Sequence, residues 1–161
     1  MSYLEQFIFT TIFAAIVGLV VWYVQTRIER IHRAEERLRD ERRNIYMTTL
    51  EPFIRTFAGI KDPKEAAKAQ KQLISFDYKR AAFELNLIGS DGVVHSFNDL
   101  MQYIYKDKGD SSENVDSKKM MKLWGELLLE IRRSVGDPKT KLKAVDMLRA
   151  QINDIDKFLQ E

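Results

Sequence analysis

From Gln6 to Thr26 the chain carries no charged side chain, and Phe7 to Val24 is apolar almost throughout. At 1.5 Å per residue that run is about 27 Å long, near the hydrocarbon thickness of a bilayer, so it predicts a membrane-spanning helix. A secretory signal would want a basic start, a shorter apolar core and a small-residue cleavage site. Here Glu5 precedes the run and Val21-Trp22-Tyr23-Val24 closes it. Trp22 and Tyr23 suit one membrane interface and Tyr3 the other. Within the run, Thr10, Ala14 and Gly18 recur at every fourth position, with Thr11 and Ala15 beside them. Small residues at this spacing let helix backbones approach closely in lipid, which marks the face for helix packing or for lining a pore. Phe9, Ile12, Phe13, Ile16 and Val20 are left to fill gaps or meet lipid.

Beyond the span the pattern changes but stays helical. Residues 25–50 lack Gly and Pro and are rich in Arg and Glu, both good helix formers. Ile28, Ile31, Leu38 and Ile45 mark a sparse heptad-like stripe, interrupted by Glu35 and Arg42 where a strong coiled coil would want aliphatics. Glu41-Arg42-Arg43 reads as a solvated, ion-paired face. Pro52 is expected to kink or restart the helix, with Phe53, Ile54 and Phe57 reaching into a core.

Short amphipathic helices follow. Asp62-Pro63 with Glu65 combines a cap, a first-turn proline and a capping-box acid. The helix it opens carries Ala66, Ala67, Leu73 and Ile74, and the next carries Phe76, Ala81, Ala82, Phe83, Leu85 and Ile88, stopping at Gly89-Ser90-Asp91-Gly92. Val94, Phe97, Leu100, Met101 and Ile104 pattern another, and Lys106–Asp116 is polar and loop-like. Met120 to Val135 ends at Gly136, and Asp137-Pro138 is expected to open a last helix with Leu142, Val145, Leu148, Ile152, Ile155 and Leu159 on one side. No period-2 strand stands out. The expected fold is therefore all-α: a membrane anchor over 1–26, a juxtamembrane neck over 27–58 and a cytoplasmic helical bundle over 59–161.

Charge sets the orientation. Arg27, Arg30, Arg33, Arg37 and Arg39 follow the span directly, so the positive-inside rule puts the N-terminus outside and the bulk of the chain in the cytoplasm. The 161 residues hold 26 Lys+Arg against 24 Asp+Glu, too even a balance for DNA binding by bulk charge. The lack of Cys excludes disulfides, thiol nucleophiles and thiolate metal sites, and two His without metal-spaced partners argue against a zinc or iron centre. No cofactor is expected. Gly89 to Gly92 lacks the spacing of a phosphate loop and reads as a turn. Trp124, Tyr103, Tyr105 and Phe97 read as core, and His95 as a capping or partly exposed residue of its helix.

Arg27, four residues, then His32 matches the Arg-x4–6-His signature of HEPN ribonucleases. On a straight helix, positions five apart differ by about 140°, which keeps the two side chains from converging. Ile28 also stands where active sites of that family usually hold a polar residue. The same arginines form a basic collar at a membrane surface.

The uncharged N-terminal span, Arg27 to His32, the neck Glu41-Arg-Arg-Asn-Ile-Tyr46 and the small helical domain together resemble the membrane accessory proteins of type VI-B CRISPR–Cas loci, described as carrying a divergent HEPN motif. That resemblance implies a ring-like homo-oligomeric pore in the bacterial inner membrane. Such a pore depolarises the membrane as an antiviral accessory to an RNA-guided, RNA-cleaving effector and its RNA products. It implies no enzyme in its own right. Arg27, Arg30 and Arg33 would then line a cytoplasmic vestibule, and Thr10, Thr11, Ala14, Ala15 and Gly18 would face neighbouring copies or the lumen. Two alternatives stay open: a membrane-tethered HEPN-like ribonuclease using Arg27 and His32, and a non-conducting scaffold that recruits a partner.

Overall fold

A computed structural model describes residues 3–58, 62–107, 116–152 and 155, with the side chains of 4–6, 8–10, 57, 58 and 107 excepted. Among the described residues the chain is all-helical and has no strand. Its elements are α1 (Tyr3–Ala58), α2 (Pro63–Leu73), α3 (Phe76–Ile88), α4 (Asp91–Asp107), α5 (Ser117–Val135) and a 3-10 helix (Ala144–Met147). Two compact units divide it, Met1–Arg39 and Asp40–Glu161.

In the first unit, α1 from Thr11 onward is long and apolar enough to cross a membrane, and none of its apolar window is buried within the chain. In the second unit the core forms around the later turns of α1. Tyr46 and Leu50 are buried there with Leu85 of α3, Val93, Phe97, Leu100 and Met101 of α4, Trp124 and Leu127 of α5, and Leu148 and Ile155 beyond. Val93, Phe97, Leu100 and Met101 follow the i, i+4, i+7, i+8 spacing that keeps one helical face turned inward. Phe53 stacks on Trp124 at 5.0 Å between ring centroids.

Local chemistry explains most boundaries. Asp62 accepts a hydrogen bond from the Lys64 amide at 3.0 Å, with Pro63 in the first turn of α2. Ser75 accepts from the Tyr78 amide and starts α3. Asp116 accepts from the Lys118 and Lys119 amides and starts α5. Gly136 ends α5, donating its N–H to the Arg132 carbonyl at 2.9 Å.

Several expectations change. α1 runs through Pro52 without restarting, and Pro52 itself is buried. Because proline brings no N–H, the Thr48 carbonyl four residues back loses its helical donor; the helix continues because packing on both sides of Pro52 holds it. Ile54 is 48% exposed, and the Phe57 side chain lies outside the described residues. Glu65 makes no capping box, because its carboxylate is held by Arg55 and Lys68. On α3, Tyr78, Ala81 and Leu85 face the core while Phe76 and Phe83 are exposed. Ile74, just past α2, and Tyr105 are exposed as well. The polar stretch expected as a loop begins later than Lys106, since α4 reaches Asp107; residues 108–115 lie outside the described residues.

Asp137-Pro138 does not open an α-helix. The Asp137 carboxylate accepts from the Lys139 amide at 3.0 Å and its carbonyl from the Thr140 amide at 3.2 Å, which closes a turn. The chain then passes into the 3-10 helix, where Asp146 accepts from the Lys143 amide at 2.7 Å. The same Asp-Pro-Lys triplet starts α2, so tertiary contact decides between the two outcomes. Here the Ala144 carbonyl docks on Gly125, where an added Cβ would lie 2.6 Å from that oxygen. The inward stripe survives in part, with Leu148 and Ile155 buried and Val145 and Ile152 packed beside them, whereas Leu142 is exposed; Leu159 lies outside the described residues.

Candidate functional site

Two hydroxyls on the apolar part of α1 are satisfied within the helix itself. The Thr11 hydroxyl donates to the Phe7 carbonyl and the Thr26 hydroxyl to the Trp22 carbonyl, each at 2.8 Å. Such back-bonding satisfies these two hydroxyls in a medium without water. Ala14 and Ala15 are exposed, and a Cβ added at Gly18 would meet nothing within 4 Å. Thr10 lies on the same helix, but its side chain is outside the described residues. The face expected from sequence is therefore open from Thr11 to Gly18, with nothing among the described residues packed over it.

The basic turns that follow are exposed and paired within the helix. Arg27 donates from Nε to the Tyr23 hydroxyl at 3.3 Å, and its guanidinium lies 5.8 Å from the centre of that ring. Arg33 pairs with Glu29 at 2.9 Å, and Arg30 is exposed. His32 sits 3.8 Å from Glu35 through Nδ1. Arg27 thus turns back toward Tyr23 and His32 forward toward Glu35, and the single chain does not bring them to a common point. Exposed pairs of this kind contribute under about 1 kcal/mol each.

Two further clusters, both in the second unit, escaped the sequence reading. Arg42 is half-buried and donates to the Ile88 carbonyl at 2.6 Å, placing a cation at the C-terminal end of α3, where the helix dipole favours one. It is therefore no part of a solvated face. Beside it the Tyr46 hydroxyl accepts from the Ser90 amide at 3.0 Å and shares a 3.1 Å hydrogen bond with Ser134. That pairing holds the short Gly89-Ser90 link between α3 and α4 in place; Asp91 and Gly92, expected in the turn, already belong to α4. From sequence Tyr46 is only the end of the neck segment, and nothing in the chain's spacing marks its two partners.

The second cluster ties α1 to α2. Arg55 bridges Glu51 at 2.7 Å and Glu65 at 2.9 Å, Gln72 donates to Glu51 at 2.9 Å, and Lys68 pairs with Glu65. The hydrogen bonds from Arg55 and Gln72 hold the Glu51 carboxyl below the ordinary carboxylate range. Lys68 first, and Arg55 after it, do the same for Glu65. Burial raises the Tyr78 phenol, whose hydroxyl points at the Met101 sulfur. Trp124 and Phe97 are core as expected, Tyr103 is half-buried with its hydroxyl on the Asp116 carbonyl, and His95 is exposed. Among the described residues no group of three or more His, Asp or Glu side chains could hold a metal ion. Comparison with known protein families, curated sequences and solved structures found no match to this chain.

Proposed function

We propose that this chain is a single-pass inner-membrane protein whose copies associate through the Thr11, Ala14, Ala15 and Gly18 face into a ring-like homo-oligomer enclosing a pore. The N-terminus lies outside and the helical domain in the cytoplasm, following the arginines after the span. The observation that carries the reading is the uncovered span: Phe13 is 62% exposed, Leu19 65% and Trp22 64%, and Gly18 has empty space above it. Apolar surface of that extent needs lipid on one side, and a glycine that weakens its own helix needs a reason. Close approach of a second backbone supplies one. Arg27, Arg30 and Arg33 then ring the cytoplasmic mouth, and apolar residues in the lumen gate by dewetting. A role as accessory to an RNA-guided antiviral ribonuclease rests on the sequence resemblance alone.

The mass of the purified chain in mild detergent tests this. A discrete assembly of many identical subunits is expected. A monomer or dimer would refute the pore, because one or two spans cannot enclose a channel. The scaffold alternative draws on a different observation: Phe76, Phe83 and Leu87 form an exposed apolar stripe on α3, suited to recruiting a partner. Replacing residues 1–26 by an unrelated membrane anchor separates the two, since a scaffold keeps its function and a pore loses it.

A further inference from the structure

The charged residues that follow the span are sorted by face. At about 100° per residue, Arg27, Arg30, Arg33 and Arg37 fall within one sector of α1 about 120° wide, and no acid of the first unit falls there. Glu29, Glu35 and Glu36 fall in a second sector, shared with His32 and broken only by Arg39 in the last turn of that unit. All of these residues are exposed. Pairing within the chain uses part of each set: Arg33 is held by Glu29, Arg27 turns to Tyr23, and His32 sits against Glu35. Among the described residues no ion pair holds Arg30, Glu36 or Arg37. Glu29 keeps a second oxygen beyond the one that Arg33 takes. A lone exposed helix gains most by interleaving the two signs at i, i+4 spacing. One that sorts them by face is complementary to a second copy laid beside it.

The span continues both sectors. A separation of about 18 residues is five turns, so Ile12 stands above Arg30 and Leu19 above Arg37, while Thr11 stands above Glu29 and Gly18 above Glu36. One side of α1 thus carries bulk over cation, and the other small residues over anion. In parallel copies at equal height, Leu19 meets Gly18 of the neighbour and Ile12 meets Thr11, while Arg30 meets Glu29 and Arg37 meets Glu36. The members of each pair differ by one residue along the helix, about 1.5 Å. The two sides lie well short of opposite each other, so successive contacts turn the same way and close. We propose that neighbouring copies join through a heterologous contact, the Arg30 and Arg37 side of one against the Glu29 and Glu36 side of the next. This rests on the oligomeric reading above and adds the opposing face, which that reading leaves open.

Charge reversal in the full-length chain tests the contact, read by light scattering in mild detergent at low salt. R30E/R37E puts acid on both sides of the neck, and E29K/E36K puts base on both. Each alone should need about tenfold more protein than wild type to reach half the wild-type mass, since repulsion replaces two exposed pairs at every interface. Mixed in equal amounts, the two should recover most of the wild-type mass by alternating around the ring. Circular dichroism should match wild type throughout, because all four positions are exposed. R30Q/R37Q, which removes the pairs without repulsion, should fall between. Wild-type mass in any of these variants alone would overturn the contact while leaving the ring standing. Loss of mass in both reversals without recovery on mixing would overturn the pairing of the two sides. Loss in R30E/R37E with wild-type mass in E29K/E36K would assign the arginines to anionic lipid instead. A wild type that is itself monomeric would sink the ring, and this contact with it.

Discussion

Gly18 offers the sharpest test of self-association, because the single chain predicts the opposite of what an assembly predicts. In the chain alone, a Cβ at this position meets nothing within 4 Å, and the flanking Val17 and Leu19 are 44% and 65% exposed. Gly18→Leu therefore meets no obstacle inside the molecule. It should also strengthen the helix by about 0.8 kcal/mol, since glycine is the poorest helix former after proline. If neighbouring backbones pass close to Gly18, the added side chain instead overpacks the contact by about 1–3 kcal/mol, repeated at each interface of a ring. At about 1.4 kcal/mol per tenfold, that is enough to drive a micromolar assembly to smaller species. Light scattering in mild detergent reads the mass, and circular dichroism reads the helix. The expected result is a loss of mass at unchanged or slightly higher helicity, with Gly18→Ala intermediate. An assembly of wild-type mass in Gly18→Leu would refute the argument that this face is the contact. A drop in helicity would refute the premise that the position is free within the chain.

Other expectations come from the second unit. Gly125→Ala places a methyl 2.6 Å from the Ala144 carbonyl, a backbone atom that cannot swing aside, so thermal unfolding should show a loss of about 2–3 kcal/mol; an unshifted midpoint would mean the 3-10 helix does not dock there. Tyr46→Phe strands the Ser90 amide and frees Ser134, and should cost about 1–3 kcal/mol in urea unfolding at unchanged slope. Glu51 and Glu65 both titrate below the carboxylate value of 4.5, so their contribution is present above that pH and is lost as pH falls through their lowered folded values. Wild type should therefore lose more stability than Arg55→Met between about pH 5 and pH 3, and parallel curves would show that the cluster does not stabilise the fold. Arg27→Ala with His32→Ala should leave the mass of the assembly unchanged, because among the described residues both side chains engage their own helix; loss of an RNA-cleaving activity in that variant would instead establish the nuclease reading.

Helical class and most helix boundaries were legible because they are local. Asp62-Pro63 and Gly136 act through atoms a few residues away, and a regular apolar period exposes a helix whatever it packs against. Facing was harder. α3 carries two apolar stripes, Tyr78 with Ala81 and Leu85, and Phe76 with Phe83 and Leu87, and periodicity gives no means of choosing between them. The larger, more hydrophobic stripe is the one left outside. Asp137-Pro138 failed for the converse reason, since a perfectly good start signal was overruled by the need to bring the Ala144 carbonyl onto Gly125. In the span, Thr11 and Gly18 could be singled out as small-residue positions because spacing carried that expectation, and the structure shows both exposed. Arg42 and Arg55 could not, because an arginine on a charged helix looks the same whether it meets water or a carbonyl 46 residues away.

The Tyr46 hydroxyl bond has a consequence in time. Its serine partner lies 88 residues further along the chain. At about 5–20 residues per second of synthesis, roughly 4 to 18 seconds pass between the two leaving the ribosome. During that interval Tyr46 and Leu50 gain Leu85 of α3 and the inward face of α4, but Trp124 and Leu127 of α5 arrive only near its end and Leu148 after it. A nascent chain in this state needs a chaperone or an early neighbour more than the finished protein does. Any message cut short before the Ser134 codon yields a product that keeps its apolar N-terminal helix and never completes its second unit.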